Sequence, residues 1–535
     1  MRTFLVLTAF FISFVSQSQT SMNMQLVAER GYNVELNDVW GYTAPNGDEF
    51  ALVGLRNGVS VVDLSQTPNL PEVFRYFGVP SVWRDLKTWG NYAYVTHDQT
   101  LVPSIMKPEG LWILDLDSIE YGKTPEWYRR RIAIPLANGT FDTLKTAHNL
   151  YIDENGVCYI FGADVGLGGA ILLDITTDPV NPIFLGIYDE AYLHDGMARG
   201  DTLWGSAVFN GDFKVIDVSN KAAPLTIGAK TTSSQFTHNC WISDNNKVLF
   251  TTDEVQAAFI GAYDVSDLNN IQELDLINSS LNSQTIPHNT HVYGDFLVTS
   301  YYTSGVQIVD ASQPDILVEV GYYDTSPFFT GTGFNGAWGA FPYLPSERIL
   351  VSDMEEGLKV VSTEYPRASF WRGTIVDLST NNTIPAAQIA ESNNLFNGTS
   401  NINGSFKWGG LTNGLSLVTV SAAGFNTASA SLLLSPGLVN RDTIFLSPIG
   451  FSVSENRQME AVIYPNPSKD VFEILFPNIE SGKIEIVDMS GRVLHQLERT
   501  LQERMQLSLS LKSGSYILRY YSEFGNDFQK RIQIL

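Results

Sequence analysis

With 535 residues and a net charge of −24, the chain is too long for one ordinary core. It also lacks the Lys and Arg clusters that phosphate recognition requires, which excludes nucleic acid and anionic membrane surfaces as partners. Beyond the leader, no stretch holds the eighteen or more uninterrupted apolar residues of a transmembrane helix. Cys158 and Cys240 fall two repeats apart and read as buried thiols, not a disulfide pair.

Residues 1–19 read as a secretory signal peptide: Arg2 is the positive start, Phe4 to Val15 the apolar run, and small or polar residues follow to Gln19. The signal contains no cysteine, so a lipoprotein is not expected. From here the chain repeats itself. The segments at 58–65, 110–117, 169–176, 212–219, 259–266, 305–312 and 357–364 are seven copies of one pattern, GVSVVDLS in the first and GVQIVDAS in the sixth. Its sixth position holds Asp63, Asp115, Asp174, Asp217, Asp264 and Asp310, then Ser362. Each Asp, with Ser or Thr commonly two residues on, suits an Asx turn closing a strand. A second β-rich run precedes each copy and a proline-marked strand follows most of them. That gives about four strands per repeat, the unit of a propeller blade. The seventh copy lacks its last strand, and MQLVAERGYN at 24–33 fits the missing pattern, so the N-terminal strand is expected to close the ring and protect its edges.

The runs VQIVDAS, FKVIDVS and VSVVDLS resemble LVIVD-repeat proteins of the choice-of-anchor B family over about residues 24–364. That resemblance implies a secreted propeller with variable C-terminal anchoring and no established reaction.

Before each second run lies another repeated element: LNDVW, WRDLK, AHNLY, LHDGM, THNCW, PHNTH and FNGAW. Its second position holds Asn37, Arg84, His148, His194, His238, His288 and Asn335, and its third Asp38, Asp85, Asn149, Asp195, Asn239, Asn289 and Gly336. Four of the seven histidines share one column. Rotation about a propeller axis would bring them to one level, with Asn37, Arg84 and Asn335 completing the circle and His97 and His291 nearby. Three readings stay open. The column can hydrogen-bond neighbouring blades and serve the fold alone. It can hold a divalent metal through His148, His194, His238 and His288, with Asp85 or Asp195. Or it can form a polar pocket for an extracellular ligand, including Arg84 and nearby aromatics. No HExxH or paired-Cys spacing fixes a metal geometry. Trp40, Trp241 and Trp338 form a further column that ring packing accounts for.

Past residue 365 the composition changes. The order of strands through RGTIVDLS, NGSF and VTVSAAGF in residues 366–449 resembles the carboxypeptidase regulatory-like domain, which implies a small β-sandwich serving as spacer or binding module. A linker is expected over 450–457. In 458–535, VIYPNPSKDVFEILF, GKIEIVDMSGRVLHQ, LKSGSYILRYY and the basic Lys530-Arg531 before an apolar end alternate as a second sandwich does. They resemble the C-terminal sorting domain of type IX secretion substrates, which implies the type IX machinery as partner and delivery to the outer cell surface or the extracellular space. The expected fold is all-β, a seven-bladed β-propeller (20–365) followed by two small β-sandwich domains. The expected function is binding or interaction, with a metal-dependent hydrolase or oxidoreductase at the histidine end as the alternative.

Overall fold

The computed structural model describes residues 20–535, apart from 99–107, 118, 137–138, 392–395, 450–460, 477–480, 500, 502 and 524–526. The expected signal peptide and the 450–457 linker lie outside the described residues. The chain divides into two compact units, Met1–Pro366 and Arg367–Leu535.

In the first unit, successive antiparallel sheets of four strands occupy 36–77, 86–130, 149–188, 195–231, 237–277 and 290–323. A further sheet is built from Ala337–Phe341, Ile349–Asp353 and Gly357–Thr363. We refer to these as sheets one to seven. The fourth strand of sheet seven is Met24–Arg30, which pairs with Gly357–Thr363 from Met24 opposite Thr363 to Arg30 opposite Leu358. The short strand Ser21–Met22 adds to the outside of sheet six. The first strands of consecutive sheets are neighbours, and that of sheet seven lies beside Leu36–Thr43 of sheet one. A hairpin of Ala133–Pro135 and Phe141–Thr143 is inserted between sheets two and three.

Valine, isoleucine and aromatic residues stiffen these runs into strands, and the sheets are apolar on both faces because each is covered by its two neighbours. Leu52, Val59, Val95 and Trp112 fill the space between sheets one and two; Tyr159, Leu172, Leu203 and Ile216 that between three and four; and Val53, Leu55, Leu358 and Val360 that between seven and one. Cys158 and Cys240 are free and fully buried within such cores.

The repeated Asp performs its turn role in all six copies. Oδ1 of Asp63, Asp115, Asp174, Asp217, Asp264 and Asp310 accepts the main-chain N–H two residues on, at 2.7 to 3.0 Å. Hydroxyls of the same turns, from Thr177 and Thr176 to Asp174 and from Ser219 to Asp217, lead in holding those carboxyls below the usual carboxylate range, with the main-chain bonds adding, while at Asp264 the main-chain bond from Ser266 leads. Just before this turn, the pairing of third and fourth strands shifts register at Val61/Val62, Leu172/Leu173, Val215/Ile216, Ala262/Tyr263 and Ile308/Val309. A bulge thus recurs at one position of the repeat, bending each outer edge in the same way.

In the second unit, Ser369–Asp377 pairs parallel with Val439–Leu446 and antiparallel with Ser405–Gly410. A four-stranded sheet containing Gln388–Glu391 and Gly414–Ser421 shares a core with them around Trp371, Phe406 and Val420. Nearer the C-terminus, a three-stranded and a four-stranded sheet enclose Phe472, Ile486, Leu518 and Ile532. Among the described residues, no helix is long and apolar enough to cross a membrane.

Candidate functional site

The row of first strands carries the repeated element found in the sequence. Side chains two apart on a strand share a face, so the third and fifth positions, such as Asp38 with Trp40 or Asn239 with Trp241, point the same way. Bulges at Leu36/Val39, Thr237/Asn239 and Ala337/Gly339 alter this alternation at the strand starts. At Thr237/Asn239 the irregularity gives His238 a direction of its own. The element therefore presents three levels along the strands, with histidines at the start, carboxylates and amides next, and aromatics roughly 10 Å beyond the histidines at about 3.3 Å per residue.

At the first level, His148, His194, His238 and His288 form an arc. Successive ring centroids are 3.9, 4.1 and 4.5 Å apart. Trp83 flanks the arc at His148 and Trp338 at His288, with centroids at 5.8 and 4.8 Å. Nδ1 of His148 lies 3.1 Å from Asp98 Oδ2. His288 donates from Nδ1 to the Trp338 carbonyl at 2.5 Å. Glu254, in the residue after strand Val248–Asp253, places Oε2 3.5 Å from His238 Nε2 and Oε1 3.9 Å from His288 Nε2. The Tyr302 hydroxyl donates to the same Oε1 at 2.6 Å. Burial, and then repulsion from His148, His238 and His288, holds His194 well below the usual imidazole range, against a weak opposing contact with the His238 main chain. His288 is likewise lowered, by burial first and then by His238, against the Trp338 carbonyl bond.

The second level is a buried charge cluster. Lys87 Nζ lies 3.1 Å from Asp38 Oδ2, 3.6 Å from Asp85 Oδ1 and 4.4 Å from the centre of the Trp40 ring. Asn239 Nδ2 donates to Asp195 Oδ2 at 2.8 Å. Burial raises the carboxyl of Asp85 well above its ordinary value, with repulsion from Asp38 adding and Lys87 opposing. Asp195 is raised by burial against the Asn239 bond. A Cβ at Gly339 would stand 2.5 Å from Asp38 Oδ1, so glycine there leaves room for the carboxylate.

At the third level, a cavity of about 330 Å³ is lined by Trp40, Lys87, Tyr151, Trp241, Phe341 and Tyr343, among others. Trp241 and Tyr343 stack at 6.0 Å with a 23° interplanar angle, and His291 packs 4.6 Å from Trp241. Burial takes His291 down to about 3, with Lys87 adding to the shift.

The structure thus brings the four column histidines together at one height, and Asp85 with Asp195 at another. It does not bring Arg84 to them. That guanidinium is fully buried, donates to the Leu55 and Val79 carbonyls and lies 4.2 Å over Trp112. Asn37 donates to the Leu36 and Val82 carbonyls, and Asn335 to Glu355. None of the three completes the histidine circle; Trp83 and Trp338 flank it instead. The shared Trp column also fails: the seventh copy is bulged between Ala337 and Gly339 just as the fifth is between Thr237 and Asn239, which puts Trp338 in the position of His238 and Phe341, beside Trp40, in that of Trp241. His291 belongs to the aromatic end. His97 stacks on Trp112 and accepts the Glu109 N–H, apart from the arc. Glu254 and Asp98 were missed because they belong to the end of the second run, where THDQ, FGAD and TTDE carry a recurrent acidic residue that the first-strand column does not contain.

Residues 462–534 match the Secretion system C-terminal sorting domain, and residues 207–232, in sheet four, match the LVIVD repeat. No curated protein matches the chain. Among solved structures, the β-propeller domain of Cps50 (Swd1) from Myceliophteria thermophila is similar over 64% of this chain and 99% of its own, with 14% sequence identity and a TM-score of 0.42. The chain is therefore an all-β protein that carries an LVIVD repeat and, over residues 462–534, a type IX secretion sorting domain, the mark of export to the cell surface or extracellular space.

Proposed function

We propose that this is an exported binding protein: a seven-bladed propeller over residues 20–365 that engages a ring-bearing extracellular ligand in the aromatic cavity at the ends of its first strands. The observation that carries this reading is the cavity itself. Its 330 Å³ lies in the range of small-molecule sites, and it is walled by Trp40, Tyr151, Trp241 and Tyr343 from different sheets. Large flat side chains supply contact area at low entropic cost, and Lys87 in the cavity wall orients a polar substituent. The pairing of 24–30 with the last sheet supports closure of the ring by the N-terminal strand. Residues 366–449 are read as a carboxypeptidase regulatory-like sandwich serving as spacer. Residues 458–535 are the export signal, and residues 1–19 the signal peptide that precedes it. The choice-of-anchor B relationship is part of the same reading.

The binding test is a glycan and aromatic-metabolite array probed with the exported protein and with Trp241→Ala. Ligands that bind the parent and lose at least tenfold affinity in the variant are expected; identical profiles for the two proteins overturn the pocket. The export reading is tested by truncation after Ile449 in the native host, where continued appearance of the protein outside the cell refutes it.

A further inference from the structure

A carboxylate between two imidazoles, at the opposite end of the first strands from the aromatic cavity, points to a chemistry of its own. We propose that His238, Glu254 and His288 form a binding site for one divalent transition ion of the zinc type, with a coordination position left open toward the surface.

A carbonyl oxygen only accepts, so the 2.5 Å contact between His288 Nδ1 and the Trp338 carbonyl puts the proton on Nδ1. In the neutral ring, Nε2 then carries a lone pair, and it faces Glu254 Oε1 at 3.9 Å. Two acceptors facing each other in a buried place repel unless something positive lies between them. On the other side, His238 Nε2 lies 3.5 Å from Glu254 Oε2, while its buried Nδ1 meets no hydrogen-bond partner among the described residues. One donor atom from each of the three residues lies within 4.8 Å of the others.

Imidazole nitrogens and carboxylate oxygens bind zinc at about 2.0–2.2 Å, so neighbouring donors on one ion stand roughly 3–4 Å apart. The two separations measured here, each to a different oxygen of Glu254, fall in that window, and a single atom from each residue stays within 4.8 Å of the other two. The outer contacts also suit a metal. A histidine ligand typically donates its other N–H to a carbonyl, as His288 does to Trp338, and a ligating carboxylate is itself hydrogen-bonded, as Glu254 is by Tyr302. Two imidazoles and one carboxylate select a borderline ion over calcium or magnesium, which prefer all-oxygen sets. Glu254 is partly exposed, with its side chain at 16%, so the fourth position faces outward to water or an anionic group. The proposal uses two of the four column histidines. His148 is committed to Asp98, and His194 packs between its neighbours.

The test uses the full-length protein, stripped with chelator and titrated with Co²⁺ alone, then Zn²⁺ alone. Visible d–d absorption saturating at about one Co²⁺ per chain and bleached by Zn²⁺ is expected. Glu254→Gln and His288→Phe should each weaken Co²⁺ binding at least tenfold, whereas His148→Gln should change it less than threefold. The circular dichroism of each variant reports folding. Absence of the bands in the parent protein at millimolar Co²⁺ overturns the site without recourse to any variant. Equal loss in His148→Gln overturns the three-residue assignment, as does unchanged binding in a folded Glu254→Gln protein.

Discussion

The Asp that ends the third strand and the second-to-fifth positions of the first strand are both repeat columns, yet they behave differently. The Asp has one identity and one role in six copies, capping its own turn. The first-strand columns vary in identity, and each residue has its own partner: Asp38 with Lys87, Asp195 with Asn239, His288 with the Trp338 carbonyl. The difference is one of distance between copies. A turn at the edge of a sheet is satisfied within three residues, so every copy can use the same solution. Side chains on the first strands meet those of neighbouring sheets, and identical charges brought together would repel. A lysine among carboxylates, or a tryptophan closing an arc of histidines, is the form the resolution takes.

The largest effect is expected where copies meet. Lys87→Met leaves Asp38 buried without its cation, and such breaks cost about 3–5 kcal/mol. Urea unfolding should show that loss, and the double variant Lys87→Met with Asp38→Asn should recover most of it. A loss under about 1 kcal/mol for the single variant would mean the cluster is not held by its lysine, and the contrast would weaken.

An intermediate effect is expected at His97, which lies outside both columns. Burial, with Arg84 adding, holds its folded pKa at about 3, below the unfolded value of about 6.5. Between these limits the unfolded chain binds the extra proton, so stability is greatest above pH 6.5 and is lost as pH falls toward 3. His97→Gln keeps an acceptor for the Glu109 N–H but cannot titrate. Its unfolding free energy should therefore fall less steeply with acid than the parent's, by at most about 1.4 kcal/mol per pH unit. Parallel curves from pH 6.5 to 4 would refute a neutral, buried His97.

The smallest effects are expected among the repeated turns, and they should be ordered. Asp310 is fully buried whereas Asp264 is partly exposed. Asp310→Ala should cost about 1–3 kcal/mol through unpaired buried groups. Asp264→Ala, whose turn N–H can turn to water, should cost less in the same thermal-unfolding assay. If the two were equal, burial would not modulate the turn and the column would be uniform in energy as well as in role.

The sequence by itself determined what depends on neighbours along the chain: strand alternation, the Asp turns, the need for a strand to complete the last repeat, and the terminal sorting domain. It also placed His148, His194, His238 and His288 at one level, because equal repeat positions become equal heights when successive sheets are related by rotation. What tertiary structure alone decided is the direction of each side chain and the partner it meets. Strand pairing puts Trp338, not Asn335, in the position of His238, since both sit at the same bulge of their sheets, and Arg84 sank between sheets against Trp112 although its repeat position is that of the histidines. Glu254 entered the site from the second strand of the same sheet as His238, and Trp338 from the sheet after His288. Those approaches are set by the packing of sheet on sheet, which a repeat read along one chain does not contain.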